Sequence, residues 1–171
     1  IEEWINCPPE DINPDIVPVL EYMASRGLTV DDFEFYWSSD PGYKNRLIVP
    51  FYYKGKIAGW TGRKVSSGKP KYLSEQHPHF VFNLDNQKKE NKYVFVCEGP
   101  FDAIAIGGVA LLTNNIADQQ YRLINGLNKQ VIVVPDQDRP GLELIKKAVQ
   151  YDWAVAFPNW DDDVKDSADA V

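Results

Sequence analysis

Apolar residues follow one rhythm in the first half of the chain and another in the second. Ile16, Val17, Val19, Leu20 and Met23 recur at helical spacing and predict a helix over 15–26, ended by Gly27. Thr29, with Asp32 three residues later, predicts the start of a second short helix. Residues 46–53 and 56–63 are rich in branched and aromatic side chains and read as two strands joined at Lys54-Gly55. A polar Gly/Ser loop over 65–71 leads to a short extended piece at Tyr72-Leu73, and the pattern is weak over 76–89. From residue 93 onward, uninterrupted apolar runs at 93–97, 109–113, 130–134 and 153–157 alternate with helical patterns at 101–106, 116–127 and 139–151. In the middle helix Ile116, Leu123, Ile124 and Leu127 form the inward side. Continuous apolar strands alternating with helices predict a parallel sheet covered on both faces.

The predicted fold is therefore α/β. A small α+β subdomain with a hairpin, residues 1–90, precedes a parallel sheet flanked by helices, residues 91–171. With 44% hydrophobic and 13% aromatic residues, the chain can build a real core. No apolar run has the length of a membrane span, and no signal peptide is visible. The chain starts at Ile1 and stops in Asp169-Ala170-Val171, and we read it as a piece of a longer polypeptide. Cys7 and Cys97 fit no zinc spacing; Cys97, closing an apolar strand, reads as a reduced core thiol of a cytoplasmic protein.

The net charge of −7 argues against a general polyanion-binding surface, but the charges are unevenly placed. Residues 41–71 hold Lys44, Arg46, Lys54, Lys56, Arg63, Lys64, Lys69 and Lys71 and no acidic residue. Residues 152–171 hold Asp152, Asp161, Asp162, Asp163, Asp166 and Asp169 against Lys165 alone. A basic front and an acidic back suit nucleic acid on one and a cation on the other; two solvated faces are the plainer alternative.

The acidic motifs sharpen this. Two apolar strands end in carboxylates and turn through glycine or proline into helices, at Cys97-Glu98-Gly99-Pro100-Phe101-Asp102-Ala103 and at Pro135-Asp136-Gln137-Asp138-Arg139-Pro140-Gly141. The carboxyl ends of strands are where open α/β sheets bind ligands. Carboxylates gathered there repel one another unless a cation sits among them, and oxygen-only ligands suit Mg²⁺ or Mn²⁺. Asp136 and Asp138, two apart, share a side if the chain stays extended; an Asp-rich helix cap is the alternative. Glu98 sits beside Gly99, where backbone can approach a phosphate, and also fits a plain surface residue. Asp102 reads most simply as a helix N-terminal carboxylate. One of Asp161, Asp162, Asp163 and Asp166 can add a ligand, and the sequence does not choose among them. Trp37, Tyr43, Phe51, Tyr52, Tyr53, Trp60 and Tyr72 interleave with the basic stretch, as core residues or as platforms for single-stranded bases.

Glu98-Gly99-x-x-Asp102-Ala103 after one strand and Asp136-x-Asp138-x-x-Gly141 after another resemble the TOPRIM domain of bacterial-type primases, type IA and II topoisomerases and some nucleases. Arg46-Leu47-Ile48-Val49-Pro50-Phe51, then residues 55–63, then Lys69-Pro70-Lys71-Tyr72-Leu73-Ser74 are similar in order and spacing to the segment preceding TOPRIM in bacterial and phage primases. The lead-in containing Arg26-Gly27-Leu28 is also similar, so the resemblance covers roughly residues 15–167. It implies a primase core fragment that makes short RNA primers on single-stranded DNA from nucleoside triphosphates, using Mg²⁺ or Mn²⁺, with a helicase, fused or separate, as partner. It implies Glu98, at the centre of the site, with Asp136 and Asp138 as catalytic residues and metal ligands, and Arg46, Arg63, Lys69 and Lys71 on template or nucleotide phosphates. The setting implied is a bacterial or phage-infected cytoplasm, and the short loops lean toward phage. The family's zinc module has no counterpart here: His77 and His79 flank Pro78 without partnering cysteines. The rival expectations are a TOPRIM nuclease or topoisomerase fragment, or a non-catalytic adaptor that binds single-stranded DNA.

Overall fold

The computed structural model describes residues 1–113, 115–139, 141–161, 164, 166–168 and 170. The chain divides into two units, one of residues 1–51 and 56–76, the other of residues 52–55 and 77–171.

The first unit opens with a single turn, α1 (Glu2–Ile5), and 3-10 turns at Pro9–Asp11 and Pro14–Ile16. The predicted helix follows as α2 (Val17–Ser25), with Pro18 in its first turn and Val19 and Met23 buried one turn apart. Gly27 takes φ +61° and ends it, while the Leu28 N–H closes back on the Met23 carbonyl. The second short helix does not form. Asp32 turns back to accept from the Thr29 N–H and hydroxyl, giving one turn only. The next residues alternate, burying Phe35 and pairing Tyr36 with Ile48, so the period-two pattern wins.

Strands β1 (Arg46–Tyr53) and β2 (Lys56–Lys64) form as predicted. Lys54 and Gly55 between them both have positive φ, the geometry of a tight hairpin turn. Leu47, Val49 and Phe51 are fully buried on one side of β1. The piece seen at Tyr72-Leu73 is a full strand, β3 (Tyr72–Gln76), antiparallel to β2 with Arg63 opposite Tyr72. The sheet order is β1-β2-β3.

The second unit holds a four-stranded parallel sheet in the order β5-β4-β6-β7, built from β4 (Tyr93–Cys97), β5 (Val109–Ala110), β6 (Gln130–Val133) and β7 (Ala154–Val155). Helices α3 (Pro100–Ala105), α4 (Asp118–Asn125) and α5 (Gly141–Gln150) connect the strands. Val94, Val96, Val131 and Val133 pack with Ile124, Leu144, Ala148 and Trp153. Helices flank the sheet as expected, but β4 is not buried throughout. Val96 and Cys97 are buried, whereas Tyr93 is 47% and Phe95 36% exposed. The weak stretch before it contributes Phe80, Val81 and Phe82 to the interior, with Phe82 bridging Ala110. Three apolar residues amid polar neighbours are too few to register as a period. Gln120, 0% exposed inside α4, was also outside the predicted inner side. Its Nε2 donates to the Phe80 and Leu111 carbonyls and its Oε1 accepts from the Ala117 N–H, so all its polar needs are met.

Candidate active site and basic face

β4 and β6 are adjacent and parallel, with Val96 opposite Val133. The chain therefore leaves both strands at the same end of the sheet, first at Glu98 and then at Asp136. The Val134 N–H still bonds the Val96 carbonyl, and the Leu112 N–H bonds that of Glu98, fixing both exits. Gly99 caps α3 in an extended conformation and places Asp102 in its first turn. Glycine is required at Gly141: a Cβ there would lie 2.1 Å from the Asp136 carbonyl oxygen and 3.4 Å from Oε1 of Glu98.

One carboxylate oxygen from each of Asp102, Asp136 and Asp166 lies within 4.8 Å of the other two. Asp102 is only 8% exposed, and its Oδ1 accepts from the Ala168 N–H at 3.0 Å. Burial, then the neighbouring Asp166 carboxylate, raises its pKa to about 7 against the relief of that hydrogen bond. Glu98 is half-buried at the same strand end. Burial, then Asp136 and Asp138, pushes its pKa up to about 7, although a backbone hydrogen bond from Asp136 opposes the shift. Oε1 of Glu98 is buried and carries no hydrogen bond. Burial, then Asp102, Asp136 and Glu98, likewise holds the Cys97 thiol well above its ordinary range, so it stays protonated. Three carboxylate oxygens within 4.8 Å of one another, with the buried, donorless Oε1 of Glu98 at the same strand end, make an oxygen-only set that fits a hard divalent cation.

Of the sequence candidates, Glu98 and Asp136 meet at this strand end. Asp138 is exposed; its Oδ1 caps α5 at the Gly141 N–H, and its charge is felt by Glu98. Asp166 joins the three-carboxylate group, Asp161 is exposed, and Asp162 and Asp163 lie outside the described residues. Asp102 is more than a helix-end charge. The signal for it was present, because a carboxylate four residues after Glu98 falls in the first turn of the helix that the strand end feeds.

The basic candidates lie in the first unit. Arg46 is 5% exposed, and its guanidinium donates to the carbonyls of Gly62 (2.9 Å), Pro70 (3.1 Å) and Lys71 (3.5 Å). It stitches β2 to the 69–71 segment. Arg63 is half-buried, lies over the Tyr72 ring at 5.0 Å, and donates from Nη1 to the Tyr72 hydroxyl at 3.0 Å. Lys69 and Lys71 are exposed, with Lys71 Nζ 5.8 Å from the centre of the Tyr72 ring. Among the aromatics, Phe51 is core, Tyr43 and Trp60 meet edge to face, and Tyr72 is 41% exposed.

This is the fold of a DNA primase catalytic core, with the TOPRIM sheet as its second unit. It superposes on the DnaG catalytic core with a TM-score of 0.73 at 18% identity, over 91% of this chain and 68% of that one. A DnaG primase catalytic domain solved bound to single-stranded DNA gives 0.72 at 19% identity, over 93% and 68%. The primase fragment of the bacteriophage T7 primase-helicase gives 0.68 at 15% identity, over 86% and 67%. In sequence the chain is similar to bacterial DNA primases, bearing out the resemblance read from its motifs. It is 30% identical to that of Campylobacter jejuni over 74% of this chain and 23% of the relative, and 28% identical to that of Synechococcus elongatus over 63% and 18%. The chain thus spans about a fifth of the length of these relatives. No family model matches it.

Proposed function

We propose that this chain is a catalytic-core fragment of a DNA primase, which synthesises short RNA primers on single-stranded DNA from nucleoside triphosphates. The observation that carries this reading is the convergence of Asp102, Asp136 and Asp166 beside Glu98, at the carboxyl end of a parallel sheet in a primase-core fold. Asp102, Asp136 and Asp166 would hold Mg²⁺ or Mn²⁺, and Asp138 adds negative charge while ordering the start of α5. Such an ion supplies charge neutralisation for a transferring phosphoryl group and acidifies an attacking hydroxyl. Glu98, with its pKa near neutrality, accepts a proton at Oε1. Arg63, Lys69 and Lys71 hold nucleic-acid phosphates without reading sequence. Arg46 serves them indirectly, by fixing the segment that carries Lys69 and Lys71. A helicase, fused or separate, is the partner, and the cytoplasm of a bacterium or an infected host is the setting. No helix among the described residues is long and apolar enough to cross a membrane.

The test is primer synthesis on single-stranded DNA with labelled nucleoside triphosphates and Mn²⁺ or Mg²⁺, using the longest polypeptide that carries this chain and its Glu98→Gln variant. Short labelled RNA that disappears with Glu98→Gln is expected. Metal-dependent cutting of the template without synthesis would replace the reading by a nuclease. Binding of single-stranded DNA without either activity would replace it by an adaptor.

A further inference from the structure

Tyr22, Arg26, Arg63 and Tyr72 form a cluster of cations and rings in the first unit. Tyr22, on α2, lies far in sequence from the basic segment, yet the guanidinium of Arg63 sits 5.7 Å from the centre of its ring. The same guanidinium lies 5.0 Å from the Tyr72 ring, so two aromatic rings hold one cation. Arg26, the residue that caps the C-terminus of α2, lies over the Tyr22 ring at 5.8 Å. Nε of Arg63 is buried without an acceptor, and among the described residues no carboxylate pairs with the side chain. Its head group is therefore fixed by ring contacts and the bond to the Tyr72 hydroxyl, and its charge is left for an outside anion. The Tyr22 phenol is half-buried, and burial raises its pKa against the opposing pull of Arg63 and Arg26. It is neutral at ordinary pH, so the attraction is that of a cation for a ring and not an ion pair.

We infer that Tyr22 is a positioning residue for nucleic-acid binding: with Tyr72 it clamps the Arg63 guanidinium, so that a phosphate meets a cation already in place. An arginine side chain loses considerable rotamer freedom on being fixed, and a clamp formed in the free protein removes that cost from the binding step. The inference rests on the reading of Arg63 as a phosphate contact. It assigns a role to a side chain outside the basic segment, and it makes the ring of Tyr22, rather than the hydroxyl, the working part.

The experiment measures binding of a labelled oligo(dT) to the 171-residue chain by fluorescence anisotropy, for Tyr22→Phe, Tyr22→Leu, Arg63→Ala and the Tyr22→Leu/Arg63→Ala double variant. Circular dichroism checks the fold, and the Arg63 Nε–H resonance reports the rings directly through their shielding. Tyr22→Phe should bind as the parent does. Tyr22→Leu should weaken binding roughly fivefold or more, with the Nε–H signal moving toward that of a free arginine. In the Arg63→Ala background, Tyr22→Leu should have no further effect. A parent-like Tyr22→Leu, an unmoved Nε–H signal, or a Tyr22→Leu loss that persists without Arg63 would overturn the clamp; the last would make Tyr22 a stacking surface of its own. Parent-like binding by Arg63→Ala would instead overturn the phosphate reading, and the role of Tyr22 with it.

Discussion

The backbone N–H of Ala168 donates to Oδ1 of Asp102 at 3.0 Å, across 66 residues of chain. This bond brings the late acidic stretch back to the first strand-helix turn of the sheet, and Asp166, two residues earlier, arrives beside Asp102 and Asp136. The group is thus assembled from three separate segments: the first turn of α3, the turn after β6 and the late acidic stretch. We expect Asp136→Asn to lower Mn²⁺ affinity at least tenfold by calorimetry, with unchanged circular dichroism. Parent-like Mn²⁺ binding would refute the assignment.

Gly141 offers a test that removes no carboxylate. A methyl group there collides with the Asp136 carbonyl, so the backbone carrying Asp136 must move. Gly141→Ala should weaken Mn²⁺ binding by tenfold or more while every charge remains. A chain that binds Mn²⁺ normally with alanine at this position would show that the turn is not held as described.

Glu98 and Asp102 both have pKa values raised to about 7 in the folded chain. Between pH ~4 and ~7 the folded state therefore binds more protons than the unfolded state, and stability falls as pH rises through that window. The melting temperature should therefore drop as pH is raised from 4.5 to 7.5 without metal, with buried Asp102 contributing more than the half-exposed Glu98, whose share is screened by solvent. Asp102→Asn should flatten the slope, as should saturating Mn²⁺. A melting temperature contributed by these groups that rises with pH would contradict the raised values.

Arg46 is predicted to act through the fold. Arg46→Ala removes the donor from three carbonyls and should cost about 2–4 kcal/mol, read by urea unfolding. Arg46→Lys keeps the charge but not the planar reach, and should lose a similar share of single-stranded DNA binding. If the lysine variant bound DNA normally and unfolded normally, the stitching role would be lost.

Lys71 is exposed and should behave as a simple phosphate contact. Lys71→Ala should weaken single-stranded DNA binding and reduce the slope of log K against log salt by about 0.7. An unchanged slope would count against it.

The sequence made the parallel sheet legible because its strands are short apolar runs closed by turn residues, and it made the hairpin legible because Lys54-Gly55 interrupts two branched runs. It placed Glu98 and Asp136 at one sheet end for the same reason. What it hid was decided by long-range partners. Asp102 looked like a helix-end charge because its contact with Ala168 lies 66 residues away. The choice of Asp166 over Asp161 depends on how the last stretch folds back. Arg46 looked like a phosphate contact because nothing local reveals that its guanidinium is enclosed by carbonyls of residues 62, 70 and 71. Gln120, polar on a buried helix face, is invisible to any count of apolar positions.

The placement of β4 beside β6, with β5 on the outer side of β4, has a bearing on how such chains are recognised. Everything between the two acidic turns leaves the sheet centre and returns to it, so neighbouring strands set the distance from Glu98 to Asp136, whatever the length of the excursion. Residues added at the exposed turn around Asn128 would lengthen the interval and leave the carboxylates where they are. The number of residues between the motifs is therefore a poor ruler. A search that fixes it would discard chains whose acidic strand ends are intact, whereas one that asks for two acidic strand ends on adjacent parallel strands would keep them.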